Sequence, residues 1–270
     1  MKFNGKNIRI GEQVKLGKNV EIGDNTIIYD NVTIGDNTII SNDCVIGEPA
    51  NAYYKNRNSY QQKETIIGAN SLIRSHTIIY AGNRLGHHFS TGHYVVLRED
   101  NVFGHHCGVG TRSEMYGEVQ VGNYARFNSN ISLGRATKVG DFVLLAPYVG
   151  VTDDPLPPSN IALPVEIGDF SVLAAHILMA PGTKIGKHCL LGLRATVTRD
   201  IPDYSLAFGT PARRVKDIRE LKSPYFQGHY YPWVYHFTKG LPWEKIGFDA
   251  WAIANGVEVP PKLQYEMAAK

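Results

Sequence analysis

IGEQVKLGKNVEIGDNTIIYDNVTIGDNTIISNDCVIG, Ile10 to Gly47, carries an apolar residue at every sixth position. Ile10, Leu16, Ile22, Ile34 and Ile46 are each followed by glycine, and Ile28 and Ile40 hold the same register without it. A period of six is not helical, because 3.6 does not divide it, and a two-sided strand alternates by two. It fits a short strand and a turn, repeated. Three such units close a triangular coil of ~18 residues, whose inward apolar residue lies over that of the next coil, ~4.8 Å away. Gly-Asp-Asn at Gly23 and Gly35 and Gly-Lys-Asn at Gly17 supply turn residues that tolerate unusual backbone angles. The expected fold class is all-β, a parallel β-helix.

The ruler pauses at Glu48 to Thr65, resumes at Ile67 and runs in steps of six to Val151, with Thr91 its one polar member. It pauses again at VTDDPLPPSN, Val151 to Asn160, and runs from Ile167 to Val197. The step-six residues are expected to point inward, and Asn83 outward. Residues 1–214 thus form a β-helix domain with loop insertions at 48–65 and 152–164. Residues 215–270, with YFQGHYYPWVYHF, GLPWE and FDAWAIANG, form an aromatic-rich, partly helical extension expected to cap and clamp the coil.

Charge names no partner: the net charge is +3, and no block of five like charges marks a nucleic-acid arm or a membrane tail. The start lacks the apolar core of a secretory signal, and the longest apolar stretch, FVLLAPYVGV from Phe142, is about half of the ~20 residues that span a bilayer. Cys44, Cys107 and Cys189 show no CxxC spacing, which argues for a reducing, cytoplasmic setting.

In a solenoid, loops that leave the coil commonly build the site. The first insertion carries Tyr53, Tyr54, Lys55, Arg57 and Tyr60, suited to stacking a base and meeting phosphate, or to a solvated surface loop. In the second, Pro155, Pro157 and Pro158 stiffen a segment holding Asp153 and Asp154, which either position an amine or hydroxyl or start a turn. His88 and His93 have the spacing of a histidine pair in the γ-class carbonic anhydrases, with His106 one coil above His88 and His105 above His87. A zinc site needs three neutral imidazoles, whereas a repeat stacks like residues by default, so no metal is expected.

AFGTPARRV, Ala207 to Val215, resembles the segment closing the coil in hexapeptide-repeat acyltransferases, and Phe170 to Asp200 resembles their pantetheine-binding coils. That resemblance implies a left-handed coil, acetyl-CoA as acyl donor, and cofactor contacts at Ala174, Ala175, Gly192, Arg199, Arg213 and Arg214. EPANAYYKN, IIGANSLIRSHTIIYAG, FSTGHYVVLRED, NYARFNSNISLG, VTDDPLPPSN and YYPWVYHFTKGLPWE resemble, in order, the N-acetyltransferases acting on dTDP-3-amino-3,6-dideoxyhexoses of surface glycans. The resemblance implies a homotrimer with sites between subunits and Asp154 facing the sugar amine. It further implies His93 as proton acceptor or sugar contact, and substrate contacts at Asp153, Arg98, Glu99, Asn128, Asn130, Tyr53 and Tyr54. Arg135 and Tyr94 depart from the family pattern: an arginine beside an ammonium is unfavourable, so Arg135 points away or the acceptor differs. The alternatives are O-acetylation of a related sugar, a carbonic-anhydrase-like zinc enzyme, or a non-catalytic scaffold.

Overall fold

The computed structural model describes residues 5–223, 230–257 and 259, so the YFQGH part of the tail motif lies outside the described residues. Among these, strands of two to five residues fall into three sheets in which neighbours come from successive coils. Sheet A has eleven strands, sheet B ten and sheet C nine among the described residues. Each coil gives one strand to each sheet and closes a triangle, the parallel β-helix expected from the repeat, left-handed as the resemblance implies. The parallel order ends where Ser205–Phe208 pairs antiparallel with Arg213–Asp217.

The ruler positions stack in register. Ile46, Ile79, Leu97, Met115 and Leu133 form one inward column, each 0% exposed. At roughly 1.5–3 kcal/mol per buried aliphatic side chain, such columns are the main source of cohesion. Ile10 and Leu16, in the first described coil, are half exposed because no described coil covers their lower side. Asn83 corrects the outward reading: it is fully buried, its Nδ2 donates to Tyr80 O (2.8 Å) and Arg98 O (2.7 Å), and its Oδ1 accepts from Asn101 Nδ2 (3.0 Å). The last residue of each B–C corner faces inward as well, and an amide there closes the corner instead of facing water.

Nearly every corner holds a non-glycine residue at positive φ, from Asn19 (55°) to Tyr204 (55°). Side chains one coil apart offset the cost of that conformation, ~1–2 kcal/mol per residue. At the C–A corner, Lys18 N–H donates to Asp36 Oδ1 (2.7 Å) and Asn19 Nδ2 to Asn37 Oδ1 (3.0 Å). Higher up, rings take over: His88, His106, Tyr124, Phe142, Phe170, His188 and Tyr204 form one ladder with centroids 4.4–5.0 Å apart. That spacing is the coil pitch itself.

The extension covers the upper part of this ladder. Trp243 is 0% exposed against Phe142, and Trp233 donates Nε1–H to Phe170 O at 2.9 Å. Phe248, which opens the helix Phe248–Asn255, packs edge-on to Phe170. The tail therefore clamps one corner through a second apolar core.

The three outer faces differ. Sheet C presents Arg84, Gln120, Lys138, Glu166 and Lys184, with Glu166 bridging the two lysines at 3.8 and 3.3 Å. Sheet A presents Leu144, Val172, Leu190 and Leu206 in its upper half, and sheet B presents Ile27, Val45, Ile78, Val96 and Leu178. Sheet C is the most charged face; A and B each carry apolar stretches beside polar ones such as Ser90 and Arg126 on A and Glu114 and Ser132 on B.

Candidate functional site

Both insertions leave the coil at the same B–C corner, between Val45–Glu48 and Thr65–Ile67 and between Gly150–Val151 and Glu166–Ile167. They sit five coils apart along the axis, about 24 Å at ~4.8 Å per coil. In the first, the short helix Asn51–Lys55 carries Tyr53 and Tyr54. Tyr53 packs edge-on to Tyr54 (5.1 Å) and Tyr60 (5.5 Å), with the Arg57 guanidinium over its ring at 5.2 Å. Tyr54 donates to Glu48 Oε1 at 2.6 Å, and that carboxylate pushes its phenol well up.

In the second insertion, the Asp154 carboxylate is occupied by its own loop. Oδ1 accepts from Ser159 Oγ (2.6 Å) and Leu156 N–H (2.9 Å), and Oδ2 from Ser159 N–H (2.7 Å). The Ser159 hydroxyl, then its amide, hold the acid below the usual carboxylate range. Asp153 O accepts from Leu163 N–H at 2.8 Å, closing the loop. Between the insertions the same corner carries a row of ion pairs: Lys63 with Asp100 (2.7 Å), Arg98 with Glu99 (3.0 Å) and Arg135 with Glu118 (2.5 Å). Arg98 and Glu99 are thus neutralised by each other, and Arg135 is committed to Glu118, whose acidity it enhances.

His93, Asn128 and Asn130 lie elsewhere, at the A–B corner. His93 N–H donates to Thr111 Oγ1 (3.2 Å), and Asn130, at φ 60°, donates its N–H to Thr111 O (2.9 Å). His93 and Asn128 line a groove of about 570 Å³ on the outside of sheet A, together with Arg74, Thr111, Arg126 and Ser129. The groove exists because the outward row of sheet A reads Leu72, Ser90, Gly108, Arg126, so two small residues in consecutive coils leave a hollow between larger ones. Tyr94 does not enter it; it stacks on His76 at 4.6 Å.

Arg74, Arg126, Thr111 and Ser129 were not singled out in the sequence. Writing the residue before each ruler position coil by coil exposes the gap at Ser90 and Gly108.

The residues expected to meet acetyl-CoA also divide. Ala174 and Ala175 share the A–B corner with Gly192. Ala174 N–H is spent on Leu191 O (3.0 Å), whereas Ala175 N–H has no acceptor among the described residues, since Leu193, one coil on, has no side-chain oxygen. A Cβ at Gly192 would come within 2.9 Å of Phe208 Cβ, so this glycine accommodates Phe208. Arg213 and Arg214 are exposed on the antiparallel strand, with Arg214 3.4 Å from Asp217. Arg199 lies apart, at the B–C corner.

One chain therefore does not gather the expected residues into one site. Asp154 and His93 are three coils and a whole side of the triangle apart, up to ~20 Å across for six residues at ~3.3 Å each. Within one chain the histidine pair is likewise divided: His88 belongs to the ring ladder at the C–A corner and His93 to the A–B corner. His87 and His105 serve as ladder acceptors, their Nδ1 atoms each taking a backbone N–H at 3.0 Å. Among the described residues no three His, Cys, Asp or Glu side chains converge as a metal site. The cysteines are buried, which pushes the Cys107 thiol up to about 12.

Residues 13–48 match the bacterial transferase hexapeptide model (six repeats), and residues 182–200 match the hexapeptide repeat of succinyl-transferase. The chain is 32% identical over 111 residues to galactoside O-acetyltransferase of Escherichia coli K12, covering 38% of this chain and 55% of that protein. It is 33% identical over 107 residues to galactoside O-acetyltransferase of Lactococcus lactis, covering 37% and 52%. The chain thus spans about half the length of these relatives. Among solved structures, Arabidopsis UDP-N-acetylglucosamine acyltransferase shares the fold, with a TM-score of 0.52 at 14% identity over 77% of this chain and 71% of that one. By its repeat and its coil the chain is similar to hexapeptide-repeat transferases, with two stretches that match their repeat models and about half the length of these acetyltransferases aligned.

Proposed function

We propose that the protein transfers acetyl from acetyl-CoA to the amine of a dTDP-linked 3-amino-3,6-dideoxyhexose, and that its site forms between the copies of a homotrimer. One observation supports the shared site: both insertions hang from the B–C corner, while the groove with His93 lies on sheet A, so one chain does not bring Asp154 and His93 together. Apolar stretches on sheets A and B and a charged face on sheet C suit packing of A on B, with C left to solvent.

In this reading the neutral amine attacks the thioester carbonyl carbon, the C–S bond breaks, and the proton leaves with the coenzyme A thiolate through His93 or water. Alignment of the two reactants supplies much of the rate. Asp154 orients the amine and offsets its developing positive charge, and Ala175 N–H is the donor available to the tetrahedral oxyanion. The fit to acetyl-CoA rests on that unspent amide and on exposed Arg213 and Arg214 nearby.

The names of the relatives favour a second reading, O-acetylation of a sugar hydroxyl. Thiol release from acetyl-CoA, followed with dTDP-3-amino sugars in one arm and galactosides in the other, separates them. Release with the amino sugars alone is expected; release with galactosides alone transfers the assignment to the hydroxyl, and release with neither removes both.

A further inference from the structure

The hollow in the sheet A groove is not demanded by the coil. A Cβ on Gly108 would meet only Ser90 Oγ, at 3.3 Å, whereas one on Gly110 would meet Asn128 C at 2.4 Å. Gly110 is needed for close packing of coils; Gly108 is not, and its missing side chain opens space.

At the two ends of that space stand guanidinium groups held by backbone carbonyls. Arg74 Nη1 donates to Thr91 O at 2.7 Å, and Arg126 Nη2 donates to Gly240 O at 2.8 Å and Lys239 O at 3.2 Å. Phe237 lies 5.3 Å from the Arg126 guanidinium. Carbonyl grips fix a cation without cancelling its charge. Among the described residues no Asp or Glu lines the groove, and Glu244, the acid acting on Arg126, spends Oε2 on Gly240 N–H at 2.8 Å. Gly240 has φ 68°, and a Cβ there would press to 3.0 Å from Arg126 Nη2. The tail is therefore shaped to seat this arginine.

We propose that the groove binds a diphosphate clasped between Arg74 and Arg126 over the Ser90–Gly108 floor, with Lys239 and Gly240 of the tail as the seat that aims Arg126. Guanidiniums match phosphate oxygens with paired charge-assisted hydrogen bonds, and His93, Thr111 and Ser129 add donors along one wall. The assignment rests on the nucleotide-sugar reading for which diphosphate arrives, and binding is measured apart from transfer.

Calorimetry with dTDP, inorganic pyrophosphate and coenzyme A is run on the wild type, Arg126→Ala, Gly108→Val, Gly240→Ala, and Arg84→Ala on sheet C as control. Arg126→Ala and Gly108→Val are expected to weaken dTDP at least about tenfold with coenzyme A binding unchanged, and Gly108→Val, which removes no contact, also keeps Tm. Gly240→Ala is expected to weaken dTDP while keeping both arginines, a loss that a purely structural tail does not give. Loss of coenzyme A binding in the groove variants, with dTDP intact, keeps the diphosphate site and reassigns its source. Loss of dTDP binding by a protein that acetylates no amino sugar keeps the site and removes the proposed reaction. Unchanged affinities in every groove variant, or no diphosphate binding by the wild type, overturns the proposal.

Discussion

At the scale of single residues, Asp154 orders its loop through Ser159 and Leu156, and in the proposed reaction it also orients the amine, two roles that one substitution confounds. Asp154→Asn should lower kcat/KM for the amino sugar at least about tenfold, ~1.4 kcal/mol, with the KM for acetyl-CoA intact. Ser159→Ala removes one loop bond and leaves the carboxylate. An equal loss in both variants marks Asp154 as a positioning residue, and wild-type turnover in Asp154→Asn makes it a turn residue only. Because the carboxyl is held below its ordinary range, the loop order it gives is present above the unfolded carboxylate range, near ~3.9, and fades as pH falls through the lowered value. The carboxylates were legible in the sequence because they interrupt a ruler. Their hydrogen bonds were not, since only the folded loop brings Ser159 back to Asp154.

At the scale of elements, coil and tail fail differently. Ile79→Asp or Val121→Asp places an unpaired charge in a stacked column and should leave no folded, soluble protein, whereas Asn58→Asp on the exposed first insertion should melt like wild type. Equal melting of all three would contradict the register. The tail has its own titration: burial lowers His188 to about 4, beneath Tyr231 and within the ring ladder. The unfolded chain takes up that proton near ~6.5, so the contribution is complete above that pH and is lost as pH falls toward the folded value. His188→Phe keeps the ring and removes the proton. Melting curves from pH 7 to 4.5 should fall less steeply for the variant, by at most one proton or ~1.4 kcal/mol per pH unit, and identical slopes would place His188 in solvent. The coil could be read directly because its inward columns recur along the chain. The groove could not: its floor is an absence, at Ser90 and Gly108, its lining comes from four coils, and Arg126 is held by a tail segment more than a hundred residues away.

At the scale of the whole molecule, the proposed assembly has copies complete one another, because within one chain the insertions and the groove with His93 lie on separate corners. Light scattering should report about three times the 30.0 kDa chain mass. The central claim, that the site is shared, is tested most directly by mixing. His93→Ala carries a broken groove and an intact loop, and Asp154→Asn the reverse. Purified separately, each should be nearly inactive. Co-refolded or co-expressed in equal amounts, they should recover about a quarter of wild-type turnover, since random assortment pairs two intact halves at that frequency in a cyclic oligomer. Mixed oligomers, verified by differential tags, that are no more active than their parents would contradict a site formed between copies.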